Sequence, residues 1–383
     1  MPHPVLTKAI DRLAQREDLA VEEAEEVLAL VMAGEASETQ IAAFLIALRT
    51  KGETADELAG LARAMRALAA RVETGRDDLL DTAGTGGGRT TFNVSTTAAL
   101  IAAGAGCAVA KHGNRSATGL SGSADVLEAL GARVDVAPPH VARCIAEAGF
   151  GFMFAPAHHG ATRYVVPVRK ELAVRTIFNF LGPLTNPAGA TRQLIGVSDA
   201  GMLDVMAQAL ARLGAVRALV VSSDDGLDEL STSAPTTVVE VNGERIERYA
   251  VSPAECGLPE APPDAVGGGT PQQNAATTRA ILAGEPGPRR DLAVLNAGAA
   301  IYAGGRAESI ADGVRVAAEA VDSGAAARTL DAYVELSRAA LTCSSGSSTR
   351  HGRTSGAGAS ASRSATSSAS SPRRARTARS PRR

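Results

Sequence analysis

Apolar residues recur at helical spacing through roughly the first 70 positions of the chain. Leu6, Ile10 and Leu13 follow one another at intervals of four and three, which places them on one face of a helix. The motifs SETQ from Ser37 and TADE from Thr54 fit the capping box, in which a hydroxyl and a side chain three residues later satisfy free backbone amides. Three further stripes comprise Val27, Leu28, Leu30 and Val31; Ile41, Phe44, Leu45 and Leu48; and Leu58, Leu61, Met65 and Leu68. The pattern predicts a domain of about four helices over residues 1–72.

Strand-like and helix-like segments alternate from residue 77 onward. The predicted strands are DLLDTAG, CAVAKHG, RVDVA, FGFMFAP and VRALVVSS. Helices are predicted from Ser95, over SADVLEALGA, PHVARCIAEAG and MLDVMAQALARLGA, and again from about residue 272 to 338. TTVVEVNGERIERYAV predicts a hairpin with a type I′ turn at Asn242–Gly243. This order is typical of an α/β domain with a mostly parallel central sheet and helices on both faces, here over residues 73–342.

The composition divides the chain into an acidic body and a basic tail. Hydrophobic residues make up 45% of the chain and aromatic residues 3%, with no Trp, so Ala, Val, Leu and Ile must fill the cores. Nine of the 39 basic residues and none of the 41 acidic ones follow Cys343, so the body carries a charge of about −11, which disfavours nucleic-acid binding. Residues 343–383 lack the apolar side chains needed to offset ordering entropy, so we expect disorder. The tail is either a non-native extension, from a frameshift or readthrough, or a genuine basic tail.

The cysteines and the apolar runs favour a cytoplasmic protein. Cys107, Cys144, Cys256 and Cys343 are far apart and form no CxxC pair, so neither a zinc site nor a disulfide framework is indicated. The longest apolar run has 13 residues, below the ~20 needed to span a bilayer, and no signal-peptide pattern is present.

The segment GTGGGRTTFNVST follows the first predicted strand and opens a helix. Glycines allow backbone amides to approach an anion closely, and a helix N-terminus adds the positive end of its dipole. Phosphate or pyrophosphate is the ligand such a loop favours, although a tight turn without a ligand would have the same composition. The segment is neither a Walker A loop nor a dinucleotide fingerprint.

Two further strand ends carry polar clusters. KHGNRSATGLSGS begins at Lys111, one of four lysines in the chain, and an ammonium there suits a phosphate oxygen. DDGLDELS places Asp228 and Glu229 where they could bind Mg²⁺, directly or through water, together with the phosphates of a substrate. Ligand crevices open at such strand ends in parallel sheets, so these segments predict a phosphate-binding site.

Several motifs together resemble anthranilate phosphoribosyltransferase. They are GTGG, TFNVST, KHGNRS, SGSADVLEALG, FAPAHH, PVRKELAVRTIFNFLGPLTNPA and GLDELS, with QIAAFLIALRTKGET, NAAT and VLNAGAAIYAGG extending the resemblance over residues 5 to about 340. It implies transfer of phosphoribose from phosphoribosyl pyrophosphate (PRPP) to the amine of anthranilate in tryptophan synthesis. It also implies Mg²⁺ dependence, a homodimer, and a hinge at which residues 165–190 pack with the helical domain.

The resemblance assigns roles to individual residues. The implied PRPP positions are Gly84, Gly87, Thr91, Asn93, Ser95, Thr96, Lys111, His112, Gly113, Asn114, Arg115, Ser116, Thr118, Gly119 and Ser123. The implied metal positions are Ser95, Asp228 and Glu229, and the implied anthranilate contacts are Gly84, Asn114 and Arg169. His158 and His159, which from sequence alone could be metal ligands, would lie near the aromatic acceptor. An aromatic amine is already unprotonated at neutral pH, so no general base is assigned, and His112 is a weak candidate.

The chain departs from the family pattern at three points. The family usually has GTGGDG followed by two residues and then TFN, whereas GTGGGRTTFN here is one residue shorter. The segment lacks the Asp and introduces Arg89. Thr118 and Gly119 replace paired serines, and Gly160 stands where the family often has Pro. The first two changes could weaken PRPP binding.

Two other functions remain open at this point. Pyrimidine nucleoside phosphorylases share the helical-plus-α/β architecture, although KHGNRS and GPLTNPA argue against them. The other is a family-like protein that has lost activity and could bind nucleic acid through its tail. The absence of the Asp and the presence of Arg89 motivate this alternative.

Overall fold

A computed structural model describes residues 2–116 and 119–344 of the chain. The helices are α1 (Pro4–Ala14), α2 (Val21–Ala33), α3 (Glu38–Lys51), α4 (Ala55–Ala67), α5 (Val94–Gly104), α6 (Ser123–Ala129), α7 (Pro138–Ala148), α8 (Ala155–His158), α9 (Val166–Leu172), α10 (Phe178–Leu184), α11 (Leu203–Arg212), α12 (Pro271–Leu282), α13 (Pro288–Ala303), α14 (Ile310–Asp322) and α15 (Ala325–Ser344). The strands are β1 (Leu79–Gly84), β2 (Ala108–Gly113), β3 (Phe150–Phe154), β4 (Arg192–Gly196), β5 (Arg217–Ser223), β6 (Thr236–Asn242) and β7 (Arg245–Val251). The predicted disordered tail, apart from the end of α15, lies outside the described residues. None of the helices in the described ranges could span a bilayer.

One seven-stranded sheet organises the larger part of the molecule. Its strand order is β3-β2-β1-β4-β5-β6-β7. The first five strands are parallel, and β6 and β7 are antiparallel to their neighbours. A helical opening followed by a mostly parallel α/β sheet is the predicted fold class, which is confirmed.

Two large cores cover the two faces of the sheet. One face packs against α5 and α12–α15. The other packs against α9–α11, and its core continues without a break into the four N-terminal helices. Arg66 of α4 strengthens this junction: its Nε donates to the Leu184 oxygen at 2.7 Å, and burial lowers its pKa to about 10.

The two predicted capping boxes have different outcomes. At Thr54 the box is complete, since Glu57 N donates to the Thr54 hydroxyl at 3.3 Å and Thr54 N donates to the Glu57 carboxylate at 2.9 Å. At Ser37 only half forms: the Ser37 hydroxyl accepts from Gln40 N, but the Gln40 amide pairs with the backbone of His3. A tertiary contact with the start of α1 replaces the local one.

Three sequence predictions about strands require correction. RVDVA is not a strand, because β3 occupies the place beside β2 and Arg133 N donates to the Ser337 hydroxyl of α15 instead. The strand β4 was not predicted; it lies at the centre of the sheet and, being buried on both faces, shows no alternation. The hairpin exists, but Asn242 pairs with Arg245, so Gly243 and Glu244 form its turn. Of these two only Gly243 has positive φ, at 59°, which is the pattern of a type II′ turn rather than type I′.

A close crossing of α13 and α14 gives the first prediction. A Cβ added to Gly298 would lie 2.5 Å from Val314 N and 2.7 Å from its Cα. We expect Gly298→Ala to destabilise the protein by about 2–3 kcal/mol, because backbone atoms cannot move aside as a flexible side chain can. Urea unfolding followed by circular dichroism measures this change. Gly160→Ala is the control, since its Cβ would meet nothing within 4 Å; equal stability of the two variants would contradict the prediction.

Candidate functional site

The polar clusters identified in the sequence meet at one edge of the sheet. The strands β1, β2, β4 and β5 run parallel and end at Gly84, Gly113, Gly196 and Ser223. The segments that follow β1, β2 and β5 are the glycine loop (residues 84–88), the KHGNRS segment and the acid turn (residues 224–229). Ligand crevices in open parallel sheets form at this edge.

A buried pair of opposite charges lies beneath the edge. Lys111 is 1% exposed, and its ammonium donates to the Thr82 backbone oxygen and, at 3.4 Å, to the Ser95 hydroxyl. Asp81 is fully buried and accepts from His112 N at 3.0 Å and from the Asn186 amide at 2.8 Å. Burial raises the pKa of Asp81 to about 6, although the Lys111 charge opposes this rise. The Lys111 ammonium therefore contacts β1 and the start of α5, and a phosphate contact for it remains a proposal.

The glycine loop lies directly against the acid turn. Burial raises the pKa of the Asp228 carboxyl, and a hydrogen bond from Gly86 N to its carboxylate opposes part of this rise. A Cβ on Gly88 would lie 2.5 Å from Asp228 Oδ1, and one on Gly84 would lie 3.3 Å from Oδ2. Gly86 and Gly87 have φ values of 66° and 86°, in the region that favours glycine. The chain needs glycines here because the loop has a positive-φ backbone and touches a carboxylate.

Asp228 and Glu229 fit a divalent cation. Burial raises the pKa of Asp228, and burial together with the Asp228 charge raises the pKa of Glu229 to about 8, while a hydrogen bond from Ser95 N opposes this rise. Two adjacent carboxylates that are costly to ionise are stabilised by a cation, and Mg²⁺ usually completes its shell with water and substrate phosphates. Among the described residues no group of three His, Cys, Asp or Glu side chains could hold a metal alone. A cation bound by these two carboxylates would thus need further oxygen ligands, such as a hydroxyl group, water or the phosphates of a substrate.

The N-terminus of α5 borders the same space. Asn93 precedes the helix, but its amide donates to the Ser121 oxygen and its Oδ1 accepts from Ser121 and Asn274. It therefore does not cap the helix but fixes the described part of the loop between β2 and α6, which we call the second loop. The Thr96 hydroxyl is buried and has no hydrogen-bond partner in the part of the chain that the structure describes. Thr91 is half-buried, and a Cβ on Gly268 would lie 2.1 Å from its oxygen, so this loop also touches a later segment.

Asp125 organises the second loop. Its carboxylate accepts from Ser116 N, Gly122 N and the Arg115 guanidinium, which also pairs with Glu128 at 2.6 Å. Asn114 is exposed, and its backbone oxygen accepts from Ala124 N, next to Ser123. Gly119 N donates to the Ser116 hydroxyl. Thr118, predicted as a PRPP position, lies outside the described residues. Arg115 is held by acids in this arrangement, so its predicted contact with PRPP would require exchange of partners.

Two neutral histidines pack together near the end of β2. The rings of His112 and His159 are 5.1 Å apart, and the Nε2 atoms of both are buried with no hydrogen-bond partner among the described residues. Burial lowers the pKa of His112 to about 3 and that of His159 to about 4. His158 instead makes a 2.7 Å hydrogen bond between Nδ1 and the Ala70 oxygen, at a surface cavity lined by Leu68. The adjacent histidines thus have separate surroundings.

Arg169 lies on α9. Its guanidinium is 5.4 Å from the centre of the Phe178 ring, and its Nη2 donates to Asn179 Oδ1 at 3.4 Å. Burial lowers its pKa. Among the described residues none of its hydrogen bonds goes to another predicted site residue, so its anthranilate contact remains a proposal.

Sequence reasoning missed three residues that shape the site. Arg175 reaches from the segment after α9 to the Gly87 oxygen at 3.2 Å, and its charge opposes the rise that burial causes in the pKa of Asp228. Asn186 joins Asp81 to the Ala110 oxygen of β2. Asn274 of α12 holds Asn93. Arg175 and Asn186 were visible within the quoted RTIFNFLGPLTNPA motif, but their partners are distant in sequence.

The fold and the site define the class of protein. The glycosyl transferase family, helical bundle domain, matches residues 7–69, and the glycosyl transferase family, a/b domain, matches residues 76–327. The chain is a two-domain member of this glycosyl transferase class.

Relatives identify the particular family. The anthranilate phosphoribosyltransferase of Rubrobacter xylanophilus is 53% identical over 336 residues, which are 87% of this chain and 98% of the relative. That of Symbiobacterium thermophilum is 51% identical, over 85% of this chain and 96% of the relative. The crystal structure of the Thermus thermophilus enzyme has a TM-score of 0.82 and 48% identity, covering 86% of this chain and 99% of that one. A Saccharomyces cerevisiae enzyme in complex with PRPP and Mg has a TM-score of 0.80 and 26% identity, covering 87% of this chain and 98% of that one. The chain belongs to the anthranilate phosphoribosyltransferase family.

The histidine pair predicts acid sensitivity. Because both folded pKa values lie below the ordinary value of 6.5, the unfolded chain binds more protons at these two residues, so their contribution to stability is lost as the pH falls below about 6.5. The raised pKa values of Asp81 and Glu229 act in the opposite direction, so the contribution of the pair is measured by comparing variants. We expect each histidine to cost about 2 kcal/mol between pH 7 and pH 5, at ~1.4 kcal/mol per pH unit. His159→Gln should remove about half of the combined loss, measured by urea unfolding at both pH values. His140→Gln, on the half-buried surface of α7, should retain the wild-type dependence; an unchanged dependence in His159→Gln would refute the assignment.

Proposed function

We propose that this chain transfers the phosphoribosyl group from PRPP to the amine of anthranilate and releases pyrophosphate, as a step of tryptophan biosynthesis. The carrying observation is the contact between the glycine loop and the acid turn at the carboxyl edge of the sheet. There, a glycine-rich backbone and a helix N-terminus suited to a pyrophosphate lie beside carboxylates suited to the cation that accompanies it.

The proposed PRPP contacts follow the two loops and the start of α5. Gly84 and Gly87 would offer a backbone that a diphosphate can approach, and Thr91, Asn93, Ser95 and Thr96 would line the helix N-terminus. In the second loop Asn114, Arg115, Ser116, Gly119 and Ser123 would close over the ligand. Ser95, Asp228 and Glu229 would hold Mg²⁺, which when bound neutralises charge on the departing pyrophosphate.

The reaction requires one bond to break and one to form at the ribose. The bond from C1 to the pyrophosphate oxygen breaks with its electron pair leaving on the oxygen, and the amine nitrogen forms the new bond to C1. The nitrogen then loses a proton to the released pyrophosphate or to solvent. The chain positions the reactants and stabilises the charge on the pyrophosphate. Gly84, Asn114 and Arg169 would orient the anthranilate. The low pKa of His112 makes it a weak base, in keeping with a reaction that needs none.

Neither alternative function gains support. The relatives with about half of their residues identical are anthranilate phosphoribosyltransferases rather than nucleoside phosphorylases. The shortened loop with Arg89 motivated the second alternative. In the structure the Arg89 side chain donates to Asp225 and to the Pro263 oxygen. We further propose, on the family resemblance, that the protein is cytoplasmic and homodimeric; light scattering of the full chain tests the dimer.

The activity is tested with the full chain, PRPP, Mg²⁺ and anthranilate. Loss of anthranilate fluorescence should require all components. We expect Asp228→Asn to lower kcat/KM at least about 100-fold, because the cation and the glycine loop both lose the same carboxylate charge. Asp204→Asn, which removes a carboxylate that pairs with Arg248 on the surface, is the matched control and should stay within about twofold of wild type. Full activity in Asp228→Asn would exclude the proposed metal site, and an inactive wild-type chain would exclude the proposed function.

Arg169→Ala tests the acceptor side of the site. We expect KM for anthranilate to rise at least about tenfold while KM for PRPP changes little, because the lost guanidinium would bind a carboxylate. Steady-state kinetics with each substrate varied in turn measures the two constants. Equal rises in both constants would show that Arg169 supports the fold of α9 rather than binding anthranilate.

A further inference from the structure

Arg89 connects the glycine loop of the proposed PRPP site to the acid turn of the proposed metal site. Its Nη2 donates to Asp225 Oδ2 at 2.8 Å, its Nη1 donates to the Pro263 oxygen at 2.5 Å, and its backbone N donates to the Gly226 oxygen at 3.0 Å. Arg89 directly follows the glycine loop, while Asp225 and Gly226 belong to the acid turn. We refer to these three hydrogen bonds as the Arg89 link.

Asp225 connects Arg89 to the residues around the acid turn through three further hydrogen bonds. Its Oδ1 accepts from the Ser223 hydroxyl at 2.7 Å and from Leu227 N at 3.3 Å, and its Oδ2 also accepts from the Ser231 hydroxyl at 2.9 Å. These partners lie on both sides of Asp228 and Glu229. The carboxylate is 14% exposed and the guanidinium 26%, so water screens the pair only in part.

The glycine loop and the acid turn are in close contact where the Arg89 link joins them. Gly88 lies so close to the turn that an added Cβ would be 2.5 Å from Asp228 Oδ1 and 2.9 Å from both Asp228 N and the Gly226 oxygen. Gly86 N donates to the same carboxylate. A small separation of loop and turn would therefore move the amides away from the carboxylates.

We propose that Arg89 is a positioning residue that fixes the glycine loop against the acid turn and so preorganises the binding of the pyrophosphate group with its cation. This inference rests on the proposed function. A loop of five residues with four glycines loses much conformational freedom when it becomes ordered, and a link formed before the ligand arrives removes that cost from binding. The link also gives a use to the arginine that accompanies the shortened loop.

The link predicts a selective effect on one substrate. Arg89→Gln in the full chain should raise KM for PRPP at least about tenfold, while KM for anthranilate changes less than about twofold and kcat less than about threefold. Arg89→Lys, which retains the charge but not both arms of the guanidinium, should lie between wild type and Arg89→Gln. Arg76→Gln is the matched control: Arg76 forms a two-armed pair with Asp78 on the surface, so its loss should leave both KM values unchanged.

A double variant separates positioning from general stability. In the Asp225→Asn background, Arg89→Gln should change KM for PRPP less than about twofold, because the partner charge is already gone. A KM for PRPP within twofold of wild type in Arg89→Gln would overturn the proposal. So would equal rises in both KM values together with a lower melting temperature, since that result indicates a structural role.

Calorimetry with Mg²⁺ and pyrophosphate distinguishes failure of the link from failure of the proposed function. If the wild-type chain binds pyrophosphate without turning over anthranilate, the proposed function fails, and a tenfold weaker Kd in Arg89→Gln still supports the link. If Arg89→Gln binds pyrophosphate as tightly as wild type, the link is overturned whether or not the chain is active. A wild-type chain that binds no pyrophosphate overturns both proposals.

Discussion

The carboxyl edge of the sheet depends on a buried carboxylate, Asp81, that is fully hydrogen-bonded. Its two oxygens accept from the backbone of β2 and from the Asn186 amide, which also donates to the Ala110 oxygen at 2.8 Å. The Asn186 oxygen accepts from Ala188 N at 2.9 Å, in the turn that leads to β4. Because a buried polar group without partners costs several kcal/mol, these contacts fix β1, β2 and the entrance to β4 relative to one another. The neighbouring Lys111 ammonium extends the arrangement to α5 through the Ser95 hydroxyl.

Above this base the site consists mainly of backbone in close contact. A Cβ on Gly196 would lie 1.7 Å from the backbone oxygen of Asp228, and a Cβ on Gly88 would lie within 3 Å of the backbone N and the carboxylate of the same residue. The acid turn can reach the centre of the edge only because β4 ends in glycine and the loop after β1 is nearly all glycine. Side chains outside the crevice, Arg89 and Arg175, then supply the rigidity that a glycine loop lacks by itself.

The helical domain is joined to this site through the second core. Its helices share that core with α9–α11, and Arg49 of α3 donates to the Arg175 oxygen at 2.8 Å. Arg175 in turn bonds to the glycine loop. A continuous set of contacts thus runs from the N-terminal helices to the glycine loop, which gives the segment after α9 a role at the site as well as in packing.

The sequence by itself determined the local features: helices with apolar stripes, four of the five parallel strands, the Thr54 capping box, and the glycine, lysine and acid segments at strand ends. These follow from periodicity and from the chemistry of short segments, which act over a few residues. Through the motifs it also indicated the family, which the relatives confirm. The tertiary structure alone decided that β4 enters at the centre of the sheet, that RVDVA pairs with α15 rather than with a strand, and that the Gln40 amide leaves its cap for His3. It also decided that Arg89 bonds to Asp225, 136 residues away, and that Asp81 bonds to Asn186, 105 residues away. Such contacts depend on which segments the folded chain brings together. A long-range hydrogen bond, unlike an apolar stripe, produces no periodic pattern in the sequence around either partner.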